Sequence, residues 1–387
     1  MIGSARPTGL HGAAGVEVAI LLPDLRIGGA ERVAVNIANE LARRNYRVEF
    51  ILMRAEGDLL LSLHPSVSVV DLGATRIRDL PRPLLRYLRR VRPEALLACM
   101  WPLTALAVAA RCLVLAPTRV VVAEHTTWSA SETASSRWHY LALRASMRAL
   151  FPMAYARLAV SSGVADDLCA ITGLRRASVQ VVPNPIVLPQ AASEQQNAAA
   201  SRWWDWTGGR VLAVGSLKKV KDHETLLRAF TQVRQHVDAR LLVLGDGPER
   251  ASLEALAKEL GIEDAIDLPG FVDEVAPYFG RADLHVLSSR AEGSPNVLVE
   301  SLAAGTPVVS TDCRSGPREI LDGGRFGELV PVGDANALSA AMYRALSSSH
   351  DSDALRQRAQ AFNVQDAVDR YQQVLLGPRA DQLVGTA

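Results

Sequence analysis

Two glutamates, Glu292 and Glu300, stand eight positions apart in the segment RAEGSPNVLVESLAAGTPVVS at residues 290–310. The run before it (ADLHVLSSR) is typical of a buried strand, and residues 296–304 have the spacing of a helix. A small-residue turn between a parallel strand and a helix makes an anion site, because N–H groups and the positive helix end converge there. Pro295 suits the first helical turn, where its missing N–H costs nothing. This pattern predicts a site for a nucleotide diphosphate: Glu300 holds the ribose hydroxyls, and Glu292 lies nearer the far end of the ligand.

The spacing of the two glutamates has a plainer interpretation, since such pairs also occur on solvated helix faces. The context favours the site, because residues 305–310 (GTPVVS) have the pattern of the next buried strand. Strand, turn, helix and strand in this order are expected of a parallel α/β sheet, whose ligands bind at the carboxyl ends of the strands.

A lysine cluster, Lys218, Lys219 and Lys221, follows the apolar run 211–217. A flexible ammonium group beside a pyrophosphate supplies the charge that neutralises a leaving nucleotide diphosphate. The alternative is an ordinary solvated surface loop.

A paired-glycine loop, Gly28 and Gly29, follows the apolar strand run 16–22. Glycines let a loop pass close to a ligand and begin a helix with exposed N–H groups. The loop lacks the GxGxxG pattern of dinucleotide-binding folds, which argues against a dehydrogenase. A simple strand-to-helix turn is the competing interpretation.

Three further positions stand at the ends of predicted strands. His125 follows the run RVVVAE, where a lone histidine is either a structural hydrogen-bonding residue or a ligand contact. Gly245 lies in a Gly-Asp-Gly-Pro turn, and Gly270 with Phe271 follows the next strand. Turn chemistry alone also explains these glycines.

Length and composition limit the class of protein. The chain has 387 residues, 49% of them hydrophobic, which is enough for two cores. A net charge of +1 argues against nucleic acid as a partner. The four cysteines have no metal-ligand spacing and suit a reducing compartment, and residues 1–15 lack the apolar run of a secretory signal. We therefore expect a cytoplasmic protein without a bound metal or cofactor.

The order of elements predicts two doubly wound domains. In the first half, strand-like runs alternate with helical ones, at 16–22, 47–53, 95–100, 119–123, 158–161 and 179–182. A second series has strands at 211–214, 239–244, 266–268, 284–287 and 307–310 and helices at 223–237, 248–260, 272–279 and 336–347. The residues between, 187–205, are rich in Ala, Gln and Ser and end at the tryptophan cluster 203–206. This divides the chain into an N-terminal domain (1–186), a linker (187–205), a C-terminal domain (206–362) and a final helix with a tail (363–387).

The segment 290–310 resembles the donor-site signature of the family 4 retaining glycosyltransferases. Residues 312–321 (DCRSGPREIL) and 327–334 (GELVPVGD) resemble that family in the same order. The resemblance covers the chain from Val16 to about Leu376. It implies the GT-B fold, an α/β architecture of two Rossmann-like parallel-sheet domains that face a cleft, with the final helix crossing back onto the first domain.

The resemblance also implies roles for individual residues. Lys221 corresponds to the family's phosphate-binding lysine, whereas Ser216 stands where the family usually has arginine. One cation is therefore missing, and Lys218 or Lys219 is the alternative source of that charge. His125 approaches the donor sugar, Gly28 and Gly29 lie against the diphosphate and acceptor, and backbone near Phe271 meets the base. The remaining donor-binding positions are those of two turns and one helix start: Gly245, Gly270, Gly293, Ser294, Pro295, Asn296, Val297 and Leu298. Catalysis falls to Glu292, His125 and Lys221, by front-face transfer without a metal.

Basic segments of the first domain suggest the acceptor. Residues 76–92 contain seven arginines and one acid, with Leu80, Leu84, Leu85 and Leu88 between them, and residues 137–157 mix arginine with aromatic and apolar residues. Such surfaces attract anionic lipid headgroups, although a solvated arginine face on a core-packed helix has the same pattern.

We therefore expect transfer of a sugar, from a UDP-sugar rather than a GDP-sugar, to a saccharide or lipid-linked acceptor at the inner face of the cytoplasmic membrane. We expect this transfer to be a step of polysaccharide or glycolipid synthesis. An epimerase acting on UDP-N-acetylglucosamine and a non-catalytic nucleotide-sugar-binding protein remain as alternatives.

Overall fold

The computed structural model describes residues 15–130, 137–188 and 207–377. The chain forms two compact units: unit 1 comprises Met1–Val187 and Asn363–Ala387, and unit 2 comprises Leu188–Phe362. The tryptophan cluster 203–206 and nearly all of the predicted linker lie outside the described residues.

Unit 1 is a parallel sheet covered by helices on both faces. Its strands are β1 (Val18–Leu22), β2 (Val48–Leu52), β3 (Ser68–Asp71), β4 (Ala95–Cys99), β5 (Arg119–Glu124), β6 (Ala156–Ala159) and β7 (Gln180–Val181). They pair in parallel in the order β3-β2-β1-β4-β5-β6-β7. The connecting helices are α1 (Gly29–Arg43), α2 (Pro81–Arg90), α3 (Leu103–Val114), α4 (Arg137–Leu150) and α5 (Ser162–Thr172).

The apolar strand sequences explain why both faces are covered. Alternate residues of a strand point to opposite faces, so Ala19 and Leu21 join the core beneath α2–α5, whereas Val18, Ile20 and Leu22 join the core beneath α1. Continuous apolar runs of this kind are typical of parallel strands that are buried on both sides.

Unit 2 repeats the architecture with six strands. They are β8 (Gly209–Val214), β9 (Ala239–Leu244), β10 (Ile266–Gly270), β11 (Leu284–Leu287), β12 (Val308–Thr311) and β13 (Glu328–Val330), in the parallel order β10-β9-β8-β11-β12-β13. Its helices are α6 (His223–Val233), α7 (Arg250–Glu259), α8 (Ala276–Phe279), α9 (Asn296–Ala304), α10 (Pro317–Ile320), α11 (Ala335–Ser347) and α12 (Ser352–Ala359).

The final helix, α13 (Val364–Leu376), belongs to unit 1. It packs against α1 and buries Val368, Tyr371 and Leu375 in the core on that face of the sheet. Arg44 at the end of α1 binds Asp369 of α13, with 2.5 Å between Nη1 and Oδ1. The last helix therefore completes the core of the first unit, although it follows the second unit in sequence.

The predicted fold class, two doubly wound parallel-sheet units, is confirmed, and the differences are local. Strands β3 and β13 and helix α12 were missed, because each is short and β3 and β13 lie towards the sheet margins. The helix predicted at 272–279 is reduced to α8, and that at 223–237 ends at Val233. The cap of α5 is Ser161, whose Oγ accepts the Val164 N–H at 3.3 Å.

Two interpretations of residues 76–92 were open, a surface that attracts anionic lipid and a solvated arginine face on a core-packed helix, and the leucines follow the second. Leu80, Leu84 and Leu88 are buried in the core, because α2 turns that side towards the sheet. The strand predicted at 95–100 is β4, and α3 follows it. Among the described helices, none is both long enough and apolar enough to span a membrane.

Candidate functional site

Two of the predicted charged residues of unit 2 meet where the strand order reverses. Successive strands add outward in one direction from β8 to β10 and in the other from β11 to β13, so the reversal falls between β8 and β11. Loops at the carboxyl ends of two such strands separate and leave a crevice for ligands. Lys221 follows β8 and Glu292 follows β11, so both stand at this point.

Lys221 and Glu292 form an ion pair across the two loops. Lys221 Nζ lies 2.6 Å from Glu292 Oε1, and the Ser289 hydroxyl donates to the same carboxylate oxygen at 2.6 Å. The side chains of Lys221 and Glu292 are 22% and 10% exposed, so the pair is largely removed from water but reachable. An ammonium group and a carboxylate thus lie side by side at the carboxyl ends of β8 and β11, where the strand order reverses.

The two loops are also joined through their backbones. Ser288 Oγ donates to the Lys221 carbonyl at 2.8 Å, and the Arg290 N–H donates to the Val220 carbonyl at 2.8 Å. Arg290 pairs with the buried carboxylate of Asp222, with 3.0 Å between Nε and Oδ2. These contacts fix the ion pair in place before any ligand binds.

Sequence reasoning missed Ser289. Its signal was available, because two serines end the apolar run of β11 directly before the turn that carries Glu292. The Ser289 hydroxyl helps to fix the orientation of the Glu292 carboxylate.

Helix α9 has the predicted bounds, but Pro295 does not lie in its first turn. Pro295 is the residue before the helix, with φ −73° and ψ 103°, and this ψ lies outside the helical range. The Leu298 N–H donates to the Pro295 carbonyl at 3.1 Å, so it is less available to a ligand than predicted. Glu300 is half-buried in the second turn, four residues after Asn296 and therefore on the same side of the helix.

The turn at residues 293–295 rests on the loop after β12. A side chain at Gly316 would place its Cβ 2.5 Å from Pro295 Cδ and 3.0 Å from Ser294 Cα. Gly316 also has φ +91°, which favours glycine. In the same loop, the pKa of the Cys313 thiol is raised to about 12, first by burial and then by the negative charge of Glu292. Three strand ends therefore converge on the carboxylate.

Gly245 has a structural reason for being glycine. Its Cβ would lie 1.9 Å from the Gly215 carbonyl oxygen, and its φ is +149°. This close approach holds the loop of Ser216 against the loop after β9, and the Gly245 N–H donates to the Gly270 carbonyl at 2.9 Å. Gly245 and Gly270 thus shape the same edge of the sheet, where Phe271 is exposed.

Ser216 is half-buried, and Lys218 and Lys219 beside it are exposed. His223 begins α6 two residues after Lys221 and is buried. Burial and the neighbouring charge of Lys221 lower the pKa of His223 to about 4, so its imidazole is neutral at neutral pH. The charge that pairs with Glu292 in this loop is that of Lys221, not of the neighbouring imidazole.

In unit 1 the predicted residues stand at the carboxyl edge of the other sheet. Gly28 caps α1, and the carboxylate of Glu31 would lie 2.2 Å from a Cβ placed there. A Cβ at Gly29 would meet no atom within 4 Å, so packing does not demand glycine at that position.

His125 follows β5 and is half-buried as a residue, with both ring nitrogens buried. Burial lowers the pKa of His125 to about 4. The preceding Glu124 is buried and accepts hydrogen bonds from Thr104 at 3.0 Å and Trp128 at 2.9 Å. Burial raises the pKa of Glu124 to about 7, although these two bonds act in the opposite direction.

The predicted site residues thus form two groups, Gly28, Gly29 and His125 in unit 1 and the others in unit 2, each at the carboxyl edge of its own sheet. Within the described ranges, no three His, Cys, Asp or Glu side chains are grouped as a metal site would require.

Comparison with known proteins gives two family matches that divide the chain as the units do. Residues 27–188 match "Glycosyltransferase Family 4", and residues 208–348 match "Glycosyl transferases group 1". A relative from Campylobacter jejuni, N-acetylgalactosamine-N,N'-diacetylbacillosaminyl-diphospho-undecaprenol 4-alpha-N-acetylgalactosaminyltransferase, is 31% identical over 254 residues, or 64% of this chain. The lipopolysaccharide core biosynthesis glycosyltransferase LpsE of Rhizobium meliloti is 32% identical over 170 residues, or 43% of this chain. The matches span 66% and 49% of the length of these two curated relatives.

Solved structures show the same architecture. Anabaena HepE in complex with UDP and glucose has a TM-score of 0.76 at 17% identity, with 93% of this chain and 99% of that chain covered. The apo form of the lipopolysaccharide outer core galactosyltransferase WaaB has a TM-score of 0.68 at 19% identity, with 92% and 98% covered. At these identities the likeness shows the fold, which is that of the GT-B glycosyltransferases. With both of its units matched in order, the chain belongs to the family 4 glycosyltransferases.

Proposed function

We propose that this protein is a retaining glycosyltransferase that moves a sugar from a UDP-sugar to a saccharide or lipid-linked saccharide acceptor in polysaccharide or glycolipid synthesis. The observation that carries the proposal is the Lys221–Glu292 pair, 2.6 Å apart beside the reversal point of the second sheet. It offers one positive and one negative group at adjacent positions, which suits a ligand with a phosphate next to hydroxyl groups.

The ammonium of Lys221 would bind the diphosphate of the donor. Negative charge grows on the leaving nucleotide as the bond from the sugar to the phosphate breaks, and a preorganised cation stabilises that charge. The first-turn amides of α9 and the helix dipole add to this stabilisation. Because Ser216 stands in place of a second cation, Lys221 carries a larger share of the phosphate binding.

Glu292 would accept hydrogen bonds from hydroxyls of the transferred sugar and stabilise positive charge on its ring in the transition state. Lys221 and Ser289 both hold one of its oxygens, which fixes the orientation of the carboxylate beside the proposed ligand. Glu300 would hold the ribose hydroxyls, because it lies on the same side of α9 as Asn296 and one turn further from the phosphate-binding end.

Unit 1 would bind the acceptor. Gly29 permits close approach of a ligand, and the neutral imidazole of His125 can donate and accept a hydrogen bond without adding charge beside the sugar. The Campylobacter jejuni relative is named as acting on a diphospho-undecaprenol saccharide, which supports a lipid-linked acceptor. In front-face transfer the leaving phosphate takes the acceptor's proton, and this route, without a metal, is part of the proposal.

Thermal shift against a panel of nucleotide-sugars tests donor binding, since a ligand that binds only the folded state stabilises it by mass action. UDP-sugars are expected to raise the melting temperature of the wild type and of Lys218→Ala, and to have little effect on Lys221→Ala. Lys218 is the matched control, an exposed lysine in the same loop. Larger shifts with GDP-sugars than with UDP-sugars would show that the donor carries guanine instead of uracil. Equal shifts in all three proteins would refute the phosphate role of Lys221.

Product analysis then separates the alternatives. Transfer of label to an added acceptor supports the proposal. Conversion of the sugar nucleotide alone would identify an epimerase, and tight binding without conversion would identify a non-catalytic protein.

A further inference from the structure

Three aromatic rings of unit 1 meet at the carboxyl edge of its sheet, and the proposed donor site does not use them. Trp101 follows β4, Trp128 follows β5, and His139 lies near the start of α4. The ring centroids of Trp101 and Trp128 are 6.1 Å apart, and those of Trp101 and His139 are 4.9 Å apart. Both contacts are edge-on, with angles of 78° and 89° between the ring planes. We call these three side chains the aromatic cluster.

The aromatic cluster lies where the strand order of unit 1 reverses. Successive strands add outward from β1 to β3 on one side and from β4 to β7 on the other, so the reversal falls between β1 and β4. Loops at the carboxyl ends of two such strands diverge, and open α/β sheets bind ligands in the crevice between them. Trp101 is the second residue after β4, and Gly28 and Gly29 lie at the end of the loop after β1. The cluster therefore borders a position at which this sheet topology favours ligand binding.

Both indoles pack on the core and leave part of their surface in water. Trp101 and Trp128 are half-buried and pack against the core beneath α2–α5, whereas His139 is exposed. An edge-on contact covers one face of only one ring of the pair. The contacts within the cluster thus leave ring surface on which a flat ligand can stack.

Hydrogen bonds hold the two indoles in fixed orientations. Trp101 Nε1 donates to Ser146 Oγ at 2.9 Å, and Trp128 Nε1 donates to Glu124 Oε2 at 2.9 Å. Glu124 is 1% exposed, and its other oxygen accepts the Thr104 hydroxyl at 3.0 Å. Because both N–H groups are bonded within the protein, the surface that the indoles offer to a ligand is carbon. Rings that are fixed before a ligand arrives lose little conformational freedom when it binds.

We propose that the aromatic cluster is the subsite for a pyranose ring of the acceptor, with C–H groups of the sugar stacked on Trp101 and Trp128. A pyranose has faces of C–H groups and a rim of hydroxyls, so it needs flat apolar surface beside polar side chains. Both are present, because His139 is exposed and Thr126 and Ser129 flank Trp128 in the same loop. The inference rests on the proposed function, since it assigns the saccharide part of the proposed acceptor to named residues of unit 1.

The polar surroundings favour a sugar over the hydrocarbon chain of a lipid. A hydrocarbon chain on the cluster would displace water from the side chains of Thr126, Ser129 and His139 without replacing its hydrogen bonds, which is unfavourable. The hydroxyls of a sugar replace those bonds.

The position of the cluster also suits a sugar that takes part in transfer. Trp128 is three residues after His125, the residue proposed to approach the donor sugar, and three residues span at most about 11 Å. A pyranose on the cluster would therefore be held near the group that the donor sugar is proposed to contact.

Saturation-transfer NMR on the full chain, without a nucleotide-sugar, tests the subsite. The probes are the methyl glycosides of glucose, galactose, N-acetylglucosamine and N-acetylgalactosamine. Irradiation of aromatic protons should transfer saturation to the ring C–H protons of at least one glycoside. Titration of that signal should give an affinity about five- to tenfold weaker in Trp101→Leu, because the stacking ring is lost, and a smaller loss in Trp101→Phe, which keeps a ring.

Tyr155→Ala is the matched control. Tyr155 is 58% exposed but directly precedes β6, so it lies at the opposite edge of the same sheet. Its titration should match that of the wild type. Equal affinities in the wild type and Trp101→Leu, no transfer to any of the four glycosides, or transfer to geranyl phosphate in place of the glycosides would overturn the inference.

A thermal shift with UDP on the same proteins keeps this inference separate from the proposed function. The shift should be the same in the wild type, Trp101→Leu and Tyr155→Ala, because the charged residues proposed to bind UDP, Lys221 and Glu300, belong to unit 2. Glycoside binding that depends on Trp101, in a protein without a UDP shift, would support the sugar subsite and refute the donor proposal. A UDP shift without glycoside binding would refute the subsite alone. Loss of the UDP shift in both Trp101 variants would show that the ring supports the fold, and would count against the inference.

Discussion

Replacing Glu292 by glutamine is expected to strengthen UDP binding while it slows sugar transfer. The variant keeps the shape of the side chain and its acceptor oxygen for Ser289, but it loses the charge that occupies Lys221 at 2.6 Å. Without that charge the ammonium is available to the diphosphate. A hydrogen bond between charged groups contributes about 1.5–3 kcal/mol, of which the neutral amide retains part. A net gain of about 1.4 kcal/mol corresponds to a tenfold rise in UDP affinity.

Turnover should move in the opposite direction. Glu292 is proposed to stabilise positive charge on the sugar in the transition state, and losing one such electrostatic contact costs about 10²–10³ in kcat. Calorimetric titration with UDP and a radiolabel transfer assay measure the two quantities on the same protein. Glu254→Gln is the control, since Glu254 is an exposed glutamate of unit 2 away from this loop. Weaker UDP binding in Glu292→Gln than in the wild type would refute the reasoning.

The Lys221–Glu292 ion pair should also contribute to the free energy of unfolding. Exposed ion pairs contribute about 0–1 kcal/mol, and removing one partner of a buried pair costs about 3–5 kcal/mol. With side chains 22% and 10% exposed, the pair lies between these limits, so a coupling energy of about 2 kcal/mol is expected. A double-mutant cycle of Lys221→Met and Glu292→Gln in urea unfolding measures it, and a coupling near zero would show that the two charges do not stabilise each other.

Three further predictions concern single positions and pH. Glu300→Gln should raise the donor KM about ten- to a hundredfold through the loss of a charged hydrogen bond to ribose, and steady-state kinetics with unchanged KM would exclude that role. Gly245→Ala should lower the free energy of unfolding by more than about 3 kcal/mol, because its Cβ would lie 1.9 Å from a carbonyl oxygen, whereas Gly29→Ala should change it by less than about 0.5 kcal/mol in the same denaturation assay. Acidification should destabilise the fold, because three histidines have pKa values lowered by burial to about 4, about 4 and about 3: His125, His223 and His285. The unfolded chain binds more protons at these sites below about pH 6.5, and stability falls from there towards pH 4. Glu124, with its pKa raised to about 7, has the opposite effect on stability, but it is one group against three histidines. A higher melting temperature at pH 5 than at pH 7 would contradict the prediction.

The order of elements and the location of the main motif could be predicted from the sequence. Apolar runs bounded by turn residues predicted most strands, and β9, β11 and α9 have the predicted bounds. These features are local, because a buried parallel strand needs a continuous apolar run and a helix start needs a particular turn. The family resemblance was local in the same sense, since it rests on consecutive residues, and the family matches confirm it.

Contacts between distant residues were decided by tertiary structure. Lys221 and Glu292 are 71 positions apart, and each separately has a plain surface interpretation; the reversal of strand order between β8 and β11 makes them a pair. The same holds for the glycine at 245, which is explained by the backbone at 215, and for Leu80, Leu84 and Leu88, which α2 directs into the core.

The positions of several exposed apolar residues near the starts of β5 and β6 were also decided by tertiary structure. Leu113, Leu115, Met153 and Tyr155 lie in two stretches about 40 positions apart that look unremarkable in sequence, and the pairing of β5 with β6 sets those stretches side by side. Local sequence determines which residues form a strand, a helix or a turn, because these depend on near neighbours. Which turns meet, and which side chains stay in water, depends on how the sheets are ordered, and that order is a property of the whole chain.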